Sequence, residues 1–458
     1  MSIKNIDTVT KNHEKISDKI EQVTFNSIRK TLPDEDIIEA CRNADYKYRQ
    51  RLISPIVAVL HMILAAIWPE QSFAASWHLL WASAVSRFYM AGQSPSLGSV
   101  AKARARLPIK LWHNLFVCIS EKSQNLSVEF DKWQGHRVVL ADGTCVSMSD
   151  KDELFKEFGT NTGYHGKGKY PLARLVTLCL ANTMTILDYA MGRYNQDENT
   201  LARPLFKKLR KGDLLLADRH FAAAHFYWYY KSVGLEFLTR VHQCLKISRI
   251  KRIESYGAND FLGWLKINEN YRKRDTDLPA KVMVRFIKAV IRIRGQRKTI
   301  WFVTSLLDNN KYPTDEIVEL YARRWRIETL FRQVKINFSA DVLRSHTAAG
   351  IHKEIAARLI AVNIIRTIML EAAIEQKVDP VSISFVHAVR AIISFSPAFA
   401  TEVFWKLPQI YKAMLAEIAA HLIEERPDRI EPRMVRREWQ HYPSFKITRT
   451  KWRAKYVA

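Results

Sequence analysis

Two aspartates follow nearly identical stretches of apolar sequence. The phrase VVLAD ends at Asp142, and the phrase LLLAD ends at Asp218. Each phrase predicts a buried β-strand with the carboxylate at its end. Ligands of an open α/β sheet gather beyond the carboxyl ends of its strands. If the two strands are neighbours, both carboxylates reach the same point.

Two carboxylates that meet repel each other unless a cation lies between them. Ligand sets made only of oxygen favour hard divalent ions such as Mg²⁺ or Mn²⁺. The alternative is that Asp142 and Asp218 cap turns or helices and bind no metal. Their shared context within a strongly basic chain favours the metal-binding interpretation.

A third carboxylate lies inside a basic segment, YARRWRIETLFRQVK, which runs from residue 321 to 335. The segment continues a helix predicted to begin at Thr314. At ~100° per residue, one arc of roughly 80° holds five side chains: Tyr321, Arg324, Glu328, Arg332 and Lys335. The alternative is a solvated helix face on which Glu328 pairs with Arg324 or Arg332.

Together, three carboxylates make a coherent chemistry possible. They can hold two divalent ions roughly 3.5–4 Å apart, one activating water or a 3′-hydroxyl and the other stabilising the leaving oxygen of a phosphodiester. Cations on the same face would hold the nucleic-acid backbone. Asp142, Asp218 and Glu328 are therefore the candidate catalytic residues and metal ligands.

The basic segment matches a known signature, Tyr-x2-Arg-x3-Glu-x6-Lys, at every position. The sequence here resembles the DDE transposases of bacterial insertion sequences, specifically the group named after insertion sequence four. Asp142 lies in the DGT motif of that group, and Asp218 lies in a motif like DRGF or DRGY. His220 replaces the small residue common in the second motif. The resemblance covers about Arg137 to Arg366.

The resemblance implies a fold and an activity. The fold is α/β, with an RNase H-like core of a mixed five-stranded sheet and helices, interrupted by a β-rich insertion. The activity is cut-and-paste transposition: binding of terminal inverted repeats, metal-dependent cleavage of the ends and joining of the 3′ ends to target DNA. The expected cofactors are two Mg²⁺ or Mn²⁺ ions. The expected partners are double-stranded DNA and a second copy in a synaptic homodimer, with no membrane.

The resemblance also implies residues that contact DNA. Tyr321, Arg324 and Lys335 would grip the phosphates of the transposon end. Arg332 and Arg219 are additional candidates for phosphate binding. Some relatives stack a flipped base on a Trp of the insertion, and Trp301 is the candidate here. The alternative for Trp301 is the core of a β-hairpin.

Charge and cysteine content restrict the class of protein. The chain of 458 residues has 71 Lys+Arg against 46 Asp+Glu, a net charge of +25, which favours a polyanionic partner such as nucleic acid. Its 5 cysteines include no Cys-x-x-Cys, which argues against a zinc ribbon or a secreted disulfide framework. With a polar N-terminus, these features predict a cytoplasmic protein associated with the nucleoid.

The N-terminal region, residues 1–130, is predicted to be helical and to bind DNA. The apolar run Leu52–Trp68 predicts a buried core helix, since it is interrupted and slightly short for a membrane span. The segment Ser94–Trp112 predicts a basic helix that Ser94 or Ser96 caps and Pro108 ends. This helix carries three cations: Lys102, Arg104 and Arg106. It suits a DNA reader of helix-turn-helix type, and the alternative is a solvated basic face.

The remaining elements must position the carboxylates. Periodicity predicts the order β-β-β-α-β-α-β within residues 131–245, and residues 309–350 complete this catalytic core. Residues 246–308 predict a β-rich insertion, read as an additional sheet, with a hairpin that turns at Gly295. Residues 351–458 predict amphipathic helices, beginning with His352–Ala373, and a basic tail from Arg426 that could bind phosphate.

Two other functions stay open at this stage. A structure-selective nuclease or resolvase with an RNase H-like core would share the carboxylates but need no sequence-specific N-terminal domain. A non-catalytic DNA-binding protein derived from a transposase is the second alternative, against which the three intact carboxylates argue.

Overall fold

A computed structural model describes most of the chain. The described residues are 26–49, 51, 53–68, 72–88, 94–128, 130, 132–163, 166–293, 296–401, 404–423 and 454. The basic tail predicted from Arg426, Ala454 excepted, and the hairpin turn at Gly295 lie outside them. Within these residues, no helix is long and apolar enough to cross a membrane.

Helices make up the described part of the N-terminal region. They are α1 (Asn26–Thr31), α2 (Asp34–Asn43), α3 (Pro55–Ile67), α4 (Phe73–Phe88), α5 (Leu97–Arg106) and α6 (Ile109–Ser127). Helix α3 is buried along almost its whole length, which confirms the predicted core helix. Ser96 caps α5 by accepting a hydrogen bond from the Ser99 amide, and α5 ends before Pro108, as predicted.

The segment from residue 132 to 240 alternates strands and helices. In chain order its elements are β1 (Lys132–Trp133), β2 (His136–Met148), α7 (Asp152–Phe158), β3 (Thr162–Gly163), β4 (Gly166–Lys167), β5 (Leu172–Leu180), β6 (Ile186–Arg193), α8 (Glu198–Phe206), β7 (Leu214–Ala217), α9 (Ala224–Ser232) and β8 (Glu236–Arg240). The predicted order of the longer elements is confirmed, with β1, α7 and the small hairpin β3–β4 in addition.

Further strands follow between residues 252 and 304. They are β9 (Arg252–Gly257), β10 (Asp260–Lys266), β11 (Lys281–Ile293) and β12 (Gln296–Thr304), with helix α10 (Glu269–Arg274) after β10. Strands β11 and β12 pair antiparallel, so the predicted hairpin is confirmed.

These later strands extend the first sheet. Strand β12 pairs antiparallel with β8, with Val303 opposite Thr239. The path of neighbours through the described sheet is β6-β5-β2-β7-β8-β12-β11-β10-β9. The prediction of an additional sheet was therefore wrong. Strand β8 pairs with β7 along one edge and with β12 along the other, and the sequence pattern of β12 does not reveal this second pairing.

The segment after β12 carries the third carboxylate and then the C-terminal helices. Its elements are α11 (Thr314–Ala322), α12 (Arg326–Arg332), β13 (Val342–Leu343), α13 (Ala348–Gln376), α14 (Phe385–Thr401) and α15 (Leu407–Ala420). Helix α13 is buried on nearly every face, because it packs against α6, α15 and α3. Its predicted amphipathic character was wrong, since these neighbours also cover the face expected to meet solvent.

Two hydrophobic cores cover the two faces of the sheet. One joins α3, α6, α11 and α13 to alternate residues of β2 and β7, such as Leu140 and Leu216. The other joins α8 and α9 to the opposite residues, such as Val139 and Leu215. Successive side chains of each strand therefore point to opposite faces of the sheet. The same alternation sets the direction of Asp142 and Asp218, which follow Ala141 and Ala217.

Candidate active site

Strand pairing brings the two aspartates together. Strands β2 and β7 are parallel neighbours, with Ala141 in register with Ala217, so Asp142 and Asp218 follow at the same level of the sheet. Strand β7 ends there, as predicted. Strand β2 continues to Met148 because β5 still pairs with it, with Thr177 opposite Asp142. The prediction that the first strand ends at Asp142 was therefore wrong.

Asp218 begins a short 3₁₀ turn, Arg219–Phe221. Its Oδ1 atom accepts a hydrogen bond from the His220 amide at 2.8 Å. Its Oδ2 atom lies 3.0 Å from Nδ1 of the His220 imidazole. The turn thus holds the carboxylate by one oxygen, and the unusual histidine contacts the other.

Asp142 is the more buried of the two aspartates. Burial raises its pKa to about 6, and the charge of Asp218 contributes to the rise. A hydrogen bond of 2.8 Å from the Gly143 amide to Oδ1 and the charge of Arg324 act in the opposite direction. Because Asp142 and Asp218 are close together and partly desolvated, a positive charge beside them would stabilise their ionised forms.

The segment that carries Glu328 is less regular than predicted. A 3₁₀ turn (Arg323–Trp325) separates α11 from α12, and a π-helical turn (Gln333–Asn337) follows α12. The angular spacing of a regular α-helix therefore does not apply. Tyr321 is 3% exposed and Arg324 is 6% exposed, whereas the arc was expected to present both side chains. The side chain of Glu328 is 47% exposed.

Arg324 connects Glu328 to the aspartates. Its Nη2 atom donates to Oε1 of Glu328 at 3.2 Å. Its Nη1 atom lies 3.7 Å from Oδ2 of Asp142. The predicted pair between Arg324 and Glu328 is present, and the same guanidinium reaches the first aspartate. All three carboxylates are thus linked, by strand register or by one shared cation.

The carboxylates fit a hard divalent ion in type. They offer oxygen only, and a positive charge already lies between Asp142 and Glu328. Their present arrangement is open: within the described ranges, no three His, Cys, Asp or Glu side chains are grouped so that they could hold a metal ion. Glu328 is paired with Arg324 in this arrangement.

Comparison with known proteins shows the family to which the chain belongs. The family described as "Transposase DDE domain" matches residues 133–364, a stretch from the start of the sheet into α13. The chain belongs to this family. It is 23% identical over 349 residues to "Transposase InsG for insertion sequence element IS4" of Escherichia coli (strain K12). That alignment covers 76% of this chain and 78% of the relative.

Tyr321 of this transposase is packed inside the protein. Its hydroxyl donates to the Ala217 carbonyl at 3.3 Å. Its ring lies 4.7 Å from the ring of Phe302 on β12. The tyrosine thus ties α11 to the end of β7, immediately before Asp218.

The other cations of the signature segment differ in exposure. Arg332 is exposed, and its Nη2 atom lies 3.4 Å from the Thr329 hydroxyl. Lys335 is half-buried, which lowers its pKa, and the Cys145 thiol is among its neighbours. Arg219 is exposed and donates to Gln243 at 3.1 Å. Arg332 and Arg219 are accessible to a polyanion.

Trp301 lies in the β11–β12 hairpin. Its ring meets the Phe261 ring edge-on at 6.0 Å, and the Lys288 ammonium lies 5.9 Å from the ring centre. These contacts favour the alternative kept open for Trp301, a residue packed at the edge of the hairpin core.

The cations of α5 also divide into two groups. Lys102 and Arg106 are exposed. Arg104 instead donates to the Ser345 hydroxyl, which precedes α13, and lies 3.9 Å from the Glu354 carboxylate on α13. The basic helix therefore presents two of its three predicted DNA contacts to solvent.

Sequence reasoning missed two residues at the start of α8. The Glu198 carboxylate lies against Gly143, where an added Cβ would come within 2.5 Å of Glu198 Cδ. Asn199 donates from Nδ2 to the His220 carbonyl at 2.9 Å. The first two residues of α8 thus contact the motif of Asp142 and the motif of Asp218. The glycine after Asp142 was a usable signal, because it marks a close approach.

Proposed function

We propose that this transposase binds the terminal inverted repeats of its insertion sequence and cleaves the ends by metal-dependent hydrolysis. It then joins the 3′ ends to target DNA by transesterification. The observation that carries the proposal is the shared position of Asp142 and Asp218 on parallel strands, with Glu328 linked to them through Arg324.

The three carboxylates are the residues that would hold two Mg²⁺ or Mn²⁺ ions. Asp142 and Asp218 would bind from the sheet, and Glu328 would bind from α12. Such ions would activate the attacking oxygen and stabilise the leaving oxygen of the phosphodiester. The protein itself fixes the level of both aspartates through strand register and holds one oxygen of Asp218 with the His220 amide.

The fold of the catalytic core is proposed to be RNase H-like. The neighbour order β6-β5-β2-β7-β8 supports this assignment, with three antiparallel strands followed by two parallel ones. Residues 131–245 and 309–350 would form this core and residues 246–308 its insertion. Residues 1–130 would read the DNA end, and residues 351–458 would form the C-terminal region.

The proposed DNA contacts follow from exposure and charge. Arg219 follows Asp218 directly, and Arg332 and Lys335 follow Glu328 in the same segment. These three cations would bind backbone phosphates, while Lys102 and Arg106 would extend the contact across α5. Tyr321 and Arg324 are assigned to the same grip by the family signature, and DNA would have to draw them from their present internal partners. A synaptic homodimer would present two such sites to the two transposon ends.

The decisive experiment uses the DNA that flanks the coding region. A duplex carrying the inverted repeat should bind more tightly than a scrambled duplex at the same stated salt, and Mg²⁺ should produce a nick at the repeat boundary. Equal binding of both duplexes with cleavage of branched DNA would favour the structure-selective nuclease. Specific binding with no Mn²⁺ binding would favour the non-catalytic alternative.

A further inference from the structure

We infer that Arg324 acts as an internal cation that competes with divalent metal for Asp142 and Glu328, and so limits metal binding before DNA arrives. This inference rests on the proposed function. Its first support is geometric. One guanidinium reaches Oε1 of Glu328 at 3.2 Å and Oδ2 of Asp142 at 3.7 Å, so it occupies the space between two proposed ligands.

The surroundings of Arg324 constrain it to this position. The side chain is almost entirely buried, and its guanidinium lies 4.6 Å from the ring of Trp325 and 5.9 Å from the ring of Tyr321. Among the described residues, its Nε atom has no hydrogen-bond partner. The carboxylates are thus the charged partners that offset the cost of burying this cation.

The same contacts explain the open arrangement of the acidic residues. Glu328 is the most exposed of the three carboxylates, and it lies one helical turn after Arg324. While Oε1 is paired with the guanidinium, an added ion shares the Glu328 carboxylate with a positive charge. A divalent ion that binds Asp142 and Glu328 together therefore competes with Arg324 for their charge.

Charge arithmetic gives the direction of the effect. Removal of a positive charge 3–4 Å from two carboxylates leaves their repulsion uncompensated and raises their affinity for any added cation. A phosphate of bound DNA offers the guanidinium another anionic partner, so DNA would release the carboxylates. The transposase would then bind metal more tightly when its substrate is present than when it is free.

The test is Mn²⁺ binding to the full-length, DNA-free protein, measured by calorimetry or by the spectrum of free Mn²⁺. Arg324→Gln should bind Mn²⁺ about tenfold more tightly than the wild type. Arg323→Gln is the matched control, because it removes a cation of the same segment whose guanidinium donates to the Asn182 side chain at 3.1 Å rather than to a carboxylate. The control should change the affinity much less. Unchanged or weaker binding by Arg324→Gln would overturn the inference.

Two further variants keep the result interpretable. Arg324→Lys keeps a charge but not the forked geometry, so it should show an intermediate affinity even if the glutamine variant does not fold. Asp218→Asn should weaken Mn²⁺ binding in the wild-type background. If wild-type protein binds no Mn²⁺ with or without DNA, the proposed metal-dependent function fails. If it binds Mn²⁺ but the arginine variants bind no tighter, only the role of Arg324 fails.

Discussion

Tyr321 contacts the elements that carry the candidate carboxylates rather than the carboxylates themselves. Its hydroxyl is bonded to the carbonyl that precedes Asp218, and its ring packs on Phe302. The side chain therefore joins the helix that leads to Glu328 with the strand that ends at Asp218. We propose that it is a positioning residue in this conformation, and its proposed contact with DNA requires that it leave these partners.

Tyr321→Phe tests the positioning role. The substitution keeps the ring and removes one hydrogen bond, so unfolding should become easier by about 1 kcal/mol. Cleavage of a pre-bound end should slow more than end binding weakens, because the hydroxyl acts on the end of β7. Thermal unfolding, binding and single-turnover cleavage should be compared with those of Tyr321→Ala, which also empties the packed site. A binding loss as large as the cleavage loss would instead support a direct grip on phosphate.

The candidate catalytic carboxylates could be identified in the sequence, because they stand in short patterns. VVLAD and LLLAD each encode a buried strand, and the spacing from Tyr321 to Lys335 encodes the third carboxylate. Side-chain partners could not be predicted. The contact of Glu198 with Gly143 depends on how a helix packs across the sheet, which no local pattern specifies.

At the scale of elements, a buried ion pair fixes the start of α11. Arg285 on β11 is 0% exposed, and its Nε donates to Asp260 on β10 at 2.8 Å. The same guanidinium donates to the Tyr312 carbonyl at 2.8 Å, and Asp260 accepts from the Thr314 hydroxyl at 2.6 Å. The later strands of the sheet thus hold the helix that leads to the third carboxylate.

Arg285→Met should destabilise the protein strongly. It leaves the Asp260 carboxylate buried without its cation, which costs about 3–5 kcal/mol. The measurement is the midpoint of urea unfolding. The double variant Arg285→Met with Asp260→Leu should recover part of the loss, since no charge then remains buried. A single variant with wild-type stability would show that water or another cation compensates Asp260.

A second buried pair predicts how stability depends on pH. Burial would raise the pKa of Glu354, but the charge of Arg358 and hydrogen bonds from Arg344 and Ser345 lower it to about 2. A depressed carboxylate pKa stabilises the fold above the value of the unfolded chain and loses this effect as pH falls through the folded value. Stability should therefore fall between about pH 4.5 and pH 2.

Glu354→Gln checks this dependence. The variant should be less stable at neutral pH, and its unfolding temperature should fall less steeply with acid than that of the wild type. Glu375→Gln on the same helix is the control, because its paired side chain is more exposed. An acid dependence identical in wild type and Glu354→Gln would contradict the assignment.

Elements were predictable where one period of hydrophobicity extended over their length. Strands β2, β5, β6, β7 and β8 meet that condition. The segment 314–337 does not meet it. A 3₁₀ turn and a π turn interrupt this segment where tertiary contacts override the regular helix. The buried faces of α13 likewise depend on neighbours far apart in the chain, which its own periodicity cannot specify.

At the scale of the whole molecule, the net charge of +25 predicts strong electrostatic attraction to DNA. The structure refines which cations can contribute at α5. Lys102 and Arg106 face solvent, whereas Arg104 is paired with α13. The composition gives the overall charge, but it does not show which cations of α5 face solvent. That depends on how α5 packs against α13.

The salt dependence of DNA affinity tests which cations of α5 contact DNA. Lys102→Gln and Arg106→Gln should each reduce the slope of log affinity against log salt by about 1, since each removes one phosphate contact. Arg104→Gln should lower the unfolding temperature and change the slope less. Binding should be titrated with the same duplex at several salt concentrations. Slopes that do not change in the first two variants would exclude α5 from the DNA interface.

The most direct test of the catalytic account is Asp218→Asn on a duplex that carries the transposon end. Asparagine keeps an oxygen to accept from the His220 amide, so the turn should persist while the negative charge of a proposed metal ligand is lost. We predict that strand cleavage in Mg²⁺ is abolished and that end binding stays nearly unchanged. Normal cleavage by this variant in Mg²⁺ would contradict the assignment of Asp218, and with it the three-carboxylate site.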